Sequence, residues 1–145
     1  MTQSPRNPSY REVVKESFAR QGLMRTLGAE IAEVGPGRCT ITAPIRPESA
    51  QQHGFAHAGT SFALGDSACG YAALSLQEAG VEVLTSEMKI HLLAPASGER
   101  LVARGEVLRA GRRLVVARAD IFAESGGDSR HVATLLGTIV PVPAG

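Results

Sequence analysis

The stretch GTSFALGDSACGYAALSLQ, Gly59 to Gln77, contains a single charged residue, Asp66. Small and apolar side chains on every side describe a helix buried on most of its faces. Such a helix has to be wrapped, and an antiparallel sheet curved around it does so with the fewest exposed apolar groups. The flanking sequence supplies that sheet. Upstream, β-prone runs from Thr26 to Val34 and from Arg38 to Ile45 flank Gly35-Pro36-Gly37, a hairpin turn signal. Downstream, Val83 to Leu93 reads as a third strand. Leu101, Ala103, Gly105 and Val107 then alternate with Val102, Arg104, Glu106 and Leu108 before Ala110-Gly111 reverses the chain. Val115, Ala117, Ala119 and Ile121 alternate in the return, and Gly126-Gly127-Asp128 leads into a last strand over Val132 to Val140. Ahead of all this, Ser9-Tyr10-Arg11-Glu12 has the capping-box pattern. Tyr10, Val14 and Phe18 share one helical face, and Gly22 offers a stop. The order helix, two strands, buried helix, four strands predicts one α+β domain over residues 9–145. Residues 1–8, polar with two prolines, are expected to form a flexible arm.

Composition narrows the function classes. The chain has 145 residues, 43% hydrophobic and 20% charged, as expected of a single globular domain with a real core. Fifteen basic and 14 acidic residues are interspersed, with no basic tract or aromatic interleaving of the kind that marks nucleic-acid binding. No stretch reads as a secretory h-region or a membrane span, so a cytoplasmic protein is expected. Cys39 and Cys69 form no CxxC or Cys/His cluster, which argues against zinc and disulfides and for two buried thiols.

Asp66 is a poor choice for folding, because aspartate competes for backbone hydrogen bonds and a buried carboxylate is costly without partners. Either it lies on a wet edge of the helix or caps a neighbouring loop, or it is held in a cleft for nucleophilic or general-base work. Just upstream, Gln51-Gln52-His53-Gly54-Phe55-Ala56-His57-Ala58-Gly59 leads polar residues and glycines into the helix. A helix start offers free backbone N–H groups and the positive dipole end, which can polarise a carbonyl and stabilise an oxyanion. Each histidine is equally readable as a loop hydrogen-bonder. His53 and His57 are four residues apart, but Gly54 and the missing HExxH glutamate make a metal pair a weak reading, and no metal or cofactor is expected. Gly59 and Asp66 are seven residues apart, so about 10 Å of axial rise separates helix start from carboxylate. If both serve one reacting carbonyl, two antiparallel copies of the helix across a twofold axis are the simplest arrangement, and a dimer is expected.

The stretch HAGTSFALGDSACGYAA resembles the HGG-x-x-x-x-L-A-D-x-A-x-G-x-A signature of hotdog-fold thioesterases of the phenylacetic-acid-degradation type. The resemblance covers about Leu27 to Val142 and includes TSEMKIHLLAPASGERLVARGEVLRAGRRL, similar to that family's inward strand, proline, polar turn and long hairpin. It implies a single hotdog domain, a long central helix wrapped by a curved antiparallel sheet, that hydrolyses an acyl-CoA or aryl-CoA thioester to a carboxylic acid and free CoA. Asp66 matches the family's nucleophile or general base. His57-Ala58-Gly59 matches the HGG that orients the substrate and presents an N–H to the carbonyl, with Ala58 replacing a glycine. Gln51 stands where the family usually has an asparagine. Thr85 or Ser86 matches a hydroxyl that helps the attacking water, Thr85 being preferred. The resemblance also implies a dimer, commonly paired into a tetramer, with CoA between protomers. Its phosphates would lie near Arg109, Arg112 and Arg113, which read otherwise as solvated turn charges. Phe62, Tyr71, Met88 and Leu92 are candidates to line an aryl pocket or a medium-chain tunnel. Two competing readings come with the same fold. One is an enoyl-CoA hydratase or dehydratase with His57 as base. The other is a non-catalytic acyl-CoA-binding domain, against which a costly carboxylate in an uncharged helix argues.

Overall fold

The computed structural model describes residues 3–145. Helices α1 (Tyr10–Ala19) and α2 (Gly22–Thr26) precede strands β1 (Glu30–Gly35) and β2 (Arg38–Pro44). Helix α3 (Ala58–Leu74) follows, then β3 (Val81–Leu92), β4 (Arg100–Ala110), β5 (Val115–Ser125) and β6 (Asp128–Pro143). The six strands form one antiparallel sheet in the order β1-β2-β4-β5-β6-β3, and α3 lies across it. This is the α+β hotdog architecture the sequence predicts. The alternation also holds residue by residue. Val115, Ala117, Ala119, Ile121 and Ala123 are buried under α3, while Arg118 between them is exposed.

Small side chains on the sheet set how closely the helix can approach. A Cβ on Gly105 would lie 2.4 Å from the carbonyl oxygen of Ala68 and 2.9 Å from the amide nitrogen of Cys69, both backbone atoms that cannot yield without moving α3. Gly105→Ala is therefore expected to destabilise the fold by about 1–3 kcal/mol, the usual cost of overpacking a dense core. Urea unfolding would show it as a lower midpoint at unchanged slope.

Three local expectations are corrected. The first strand does not begin at Thr26. Residues 22–26 are helical, with Met24 buried and Leu27, its C-cap, buried three positions on. Gly28 at φ 66° then ends the helix in a Schellman motif: its N–H donates to Arg25 O at 3.0 Å and the Ala29 N–H to Met24 O at 2.8 Å. Second, Ser9 is the N-cap of α1, yet its side chain makes no capping bond, and its own N–H donates to Asn7 Oδ1 at 3.0 Å. Third, α3 stops at Leu74 rather than Gln77. The hydroxyl of Ser75 donates to Ala72 O at 2.7 Å and accepts the Gly37 N–H at 2.8 Å, tying the helix end to the β1–β2 turn. In the arm, Gln3 Nε2 donates to Val107 O at 3.1 Å and Arg6 pairs with Glu78 at 3.7 Å. Among the described residues no helix is long and apolar enough to cross a membrane.

Candidate active site

Helix α3 is buried on all sides but one. The residues left partly or fully open are Ala58, Gly59, Phe62, Ala63, Asp66 and Gly70. They recur three or four positions apart and therefore form one stripe along the helix. Asp66 thus avoids the apolar interior and faces a cleft of about 340 Å³ between α3, α1 and the first half of β3. Thr85 projects from β3 into the same cleft, and its hydroxyl donates to Asp66 Oδ1 at 2.6 Å. Of the remaining sequence candidates, Tyr71 also lines this cleft.

The start of α3 is built by His57. Its backbone is extended (φ −60°, ψ 143°), and its Nδ1 accepts the Gly59 N–H at 2.8 Å, making it the N-cap. Accepting that bond requires a bare Nδ1, so the proton of the neutral ring sits on Nε2. The Gly59 N–H is committed to this cap, whereas the Ala58 N–H has no partner among the described residues. The free donor at the positive end of the helix dipole is therefore Ala58's. Alanine fits there without strain, because it is the first helical residue and, among the described residues, no non-glycine residue has positive φ. His57 and Gly59 line a second, more apolar cleft of about 250 Å³ with Leu23, Leu27 and Ala63, separate from the cleft that holds Asp66.

The other predicted residues are dispersed. Gln51 Oε1 accepts the N–H groups of His53 at 2.5 Å and Phe55 at 3.3 Å, and so shapes the loop before the helix. The Ser86 hydroxyl donates to Thr138 O at 3.3 Å, away from the cleft. Met88 packs over Gly137, and Leu92 is exposed on β3. Phe62 is half-buried on the open stripe of α3. Arg109, Arg112 and Arg113 are exposed around the β4–β5 turn. Both cysteines are buried, and burial pushes each thiol up to about 12, with the Asp66 carboxylate adding to the effect at Cys69. Neither is a nucleophile near neutral pH. Among the described residues no three His, Cys, Asp or Glu side chains gather as metal ligands would.

Ser17, Gln21 and Ser67, absent from the sequence candidates, also line the Asp66 cleft. Ser17 is on α1 and Gln21 follows the end of that helix as the N-cap of α2. The apolar periodicity of α1, Tyr10, Val14 and Phe18, marks only the face that packs on the core.

Comparison with known proteins bears on the fold and its family. The model of the thioesterase superfamily matches residues 53–129, from the loop before α3 to the start of β6. A thioesterase family protein from Silicibacter pomeroyi is 46% identical, with a TM-score of 0.91 over 93% of this chain and 99% of that one. The PaaI protein of the E. coli phenylacetic acid degradation operon superposes with a TM-score of 0.84 at 21% identity, over 96% of this chain and 97% of that one. A point mutant of the phenylacetic acid degradation protein PaaI from Thermus thermophilus is 25% identical over 83% of this chain and 98% of that one, with a TM-score of 0.72.

Proposed function

This chain belongs to the thioesterase superfamily and is a thioester hydrolase, and from that premise we propose that it cleaves acyl-CoA thioesters with Asp66 as the catalytic carboxylate. The observation that carries the reading is the Thr85–Asp66 hydrogen bond at the wall of an open cleft. A carboxylate fixed through one oxygen presents the other to a water or to the thioester carbon itself. Acting as base, Asp66 takes a proton from water while the water oxygen adds to the thioester carbon. The carbonyl oxygen becomes an oxyanion held by the Ala58 N–H and the helix dipole. Collapse breaks the carbon–sulfur bond, and the proton passes to the departing CoA thiolate, leaving a free acid and a thiol. Acting as nucleophile, the same carboxylate adds to that carbon, and the carbon–sulfur bond breaks to release the CoA thiolate, which takes up a proton. Water then hydrolyses the resulting anhydride to the free acid and the Asp66 carboxylate.

The two halves of this machinery line separate clefts of one chain. Asp66 lies seven residues along α3 from Gly59, about 10 Å of rise. The site is therefore completed by a second chain, each copy offering its helix start to the other's Asp66 across a twofold axis. The open stripe on α3 supports this, as does the sheet edge: among the described residues no strand lies on the outer side of β3, and Leu84 and Leu92 on it are 62% and 59% exposed. Long apolar edges of this kind are usually covered. CoA then threads between protomers with its phosphates near Arg109, Arg112 and Arg113, and dimers pair further into a tetramer.

Release of free thiol from a panel of acyl- and aryl-CoAs tests the activity. Turnover of at least one of them with stoichiometric acid and thiol is expected. Hydration of an enoyl-CoA with no thiol release would contradict it. Thr85→Val keeps the shape of the side chain and removes the hydroxyl. Losing one hydrogen bond to a charged acceptor is worth about 10- to 100-fold, and the loss is expected in kcat rather than KM, with Thr85→Ser restoring most of it.

A further inference from the structure

The far wall of the Asp66 cleft carries a connected polar cluster that the hydrolysis described above does not use. Gln21, in the link between α1 and α2, reaches it with both ends of its amide. Nε2 donates to the Tyr71 hydroxyl at 2.8 Å, and Oε1 accepts from the Ser67 hydroxyl at 3.4 Å. Ser17 and Tyr71 share one further hydrogen bond between their hydroxyls at 3.2 Å. Tyr71 and Ser67 are buried, and the Tyr71 ring is fixed edge-on against Phe18 with centroids 5.9 Å apart.

Counting protons shows what the cluster lacks. Its three hydroxyls and one amide bring five polar hydrogens, and the three bonds among them use one each. One hydroxyl proton of the Ser17–Tyr71 pair and the second Gln21 N–H remain, in a cleft that also has the open space of a ligand site. Ser17 and Gln21 are half-buried in the open cleft, so water can meet these donors until a ligand displaces it, and a ligand that does so without loss has to bring an acceptor oxygen. The same cleft is lined by the carboxylates of Asp66 and Glu82, which disfavour an anionic one. Asp66 and Tyr71 line the same cleft, and Tyr71 is five residues further along α3, about 7.5 Å in the axial direction alone, so an acyl chain that reaches it from a thioester at Asp66 spans several carbons.

We infer that Gln21 and Tyr71 determine specificity, selecting short acyl groups that carry an uncharged oxygen, a ketone or a hydroxyl, near the end remote from the thioester. The inference rests on the reading of Asp66 as the catalytic carboxylate, because that places the thioester carbon in this cleft.

Three CoA thioesters of equal chain length test it: 4-oxopentanoyl-, pentanoyl- and glutaryl-CoA. The kcat/KM ratio of 4-oxopentanoyl- to pentanoyl-CoA is expected to be about tenfold, the worth of one neutral hydrogen bond made by an otherwise unpaired group. Glutaryl-CoA is expected to fall below 4-oxopentanoyl-CoA. Tyr71→Phe, which keeps the buried ring, and Gln21→Leu should each bring the ratio close to one. A wild-type ratio within twofold of one, or a ratio that neither variant changes, overturns the inference. Equal losses on 4-oxopentanoyl- and pentanoyl-CoA also overturn it, since the cluster would then serve the pantetheine arm or the fold. The same ratio, read as dissociation constants on the Asp66→Asn protein, decides the matter for substrates turned over too slowly. Full activity in Asp66→Asn would overturn the catalytic assignment alone and leave the ratio measurable.

Discussion

Asp66→Asn is expected to lower kcat by about 10²- to 10⁴-fold, the range lost with a positioned general base, while the protein stays folded and keeps its oligomeric state. The substitution removes the charge and nearly preserves the volume. The amide can still accept the Thr85 hydroxyl through its oxygen, so the cleft loses basicity and nucleophilicity but not its shape. Binding should change little, and the loss belongs in kcat with KM nearly constant. A variant within about threefold of wild type on every thioester cleaved would remove Asp66 from the chemistry, although membership of the thioesterase superfamily would stand.

The second large effect concerns a single hydrogen. Ala58→Pro deletes the free N–H at the start of α3, and the fold is already arranged to accept it. Proline is favoured at the first helical position, where its missing N–H costs no intrahelical bond. The preceding residue must be extended, as His57 is at ψ 143°. The His57 cap on the Gly59 N–H is untouched. Loss of one oxyanion donor is expected to reduce kcat by about 10²- to 10³-fold, with thermal stability close to wild type. Ala58→Gly, which restores the N–H without the ring, is expected to stay near wild-type activity. An active Ala58→Pro enzyme would move the oxyanion contact elsewhere.

Much of this was legible from residues 59–77. A helix apolar on every face demanded a wrapping sheet, and the period-two alternation of 101–107 and 115–121 supplied its middle strands. Asp66 was conspicuous because it was costly there, and the register of β3 brought Thr85 to it. What escaped the sequence depends on non-local pairing or on capping geometry. Nothing local tells that β3 closes the sheet beyond β6 rather than beside β4, and that placement is what puts Thr85 on α3's open side. The α2 helix is five residues long, too short for a periodic signal, and only Gly28 marked its end. Ser17, a polar residue of an amphipathic helix, and Gln21, in the link that follows it, read as solvated until the fold shows what faces them. The division of labour between the Ala58 and Gly59 N–H groups depends on the His57 rotamer, which no spacing encodes.

The central claim is that one thioester meets Asp66 from one chain and the Ala58 N–H from another, and mixing two dead proteins tests it most directly. Asp66→Asn and Ala58→Pro chains would be purified separately, combined, and shown by mass spectrometry to exchange subunits. A mixed dimer carries both defects in one site and neither in the other. Statistical exchange makes half the dimers mixed, so activity is expected to return to about a quarter of wild type if the two sites act independently. Exchange without any return of activity would mean that both groups come from the same chain, and the two-chain site would be wrong.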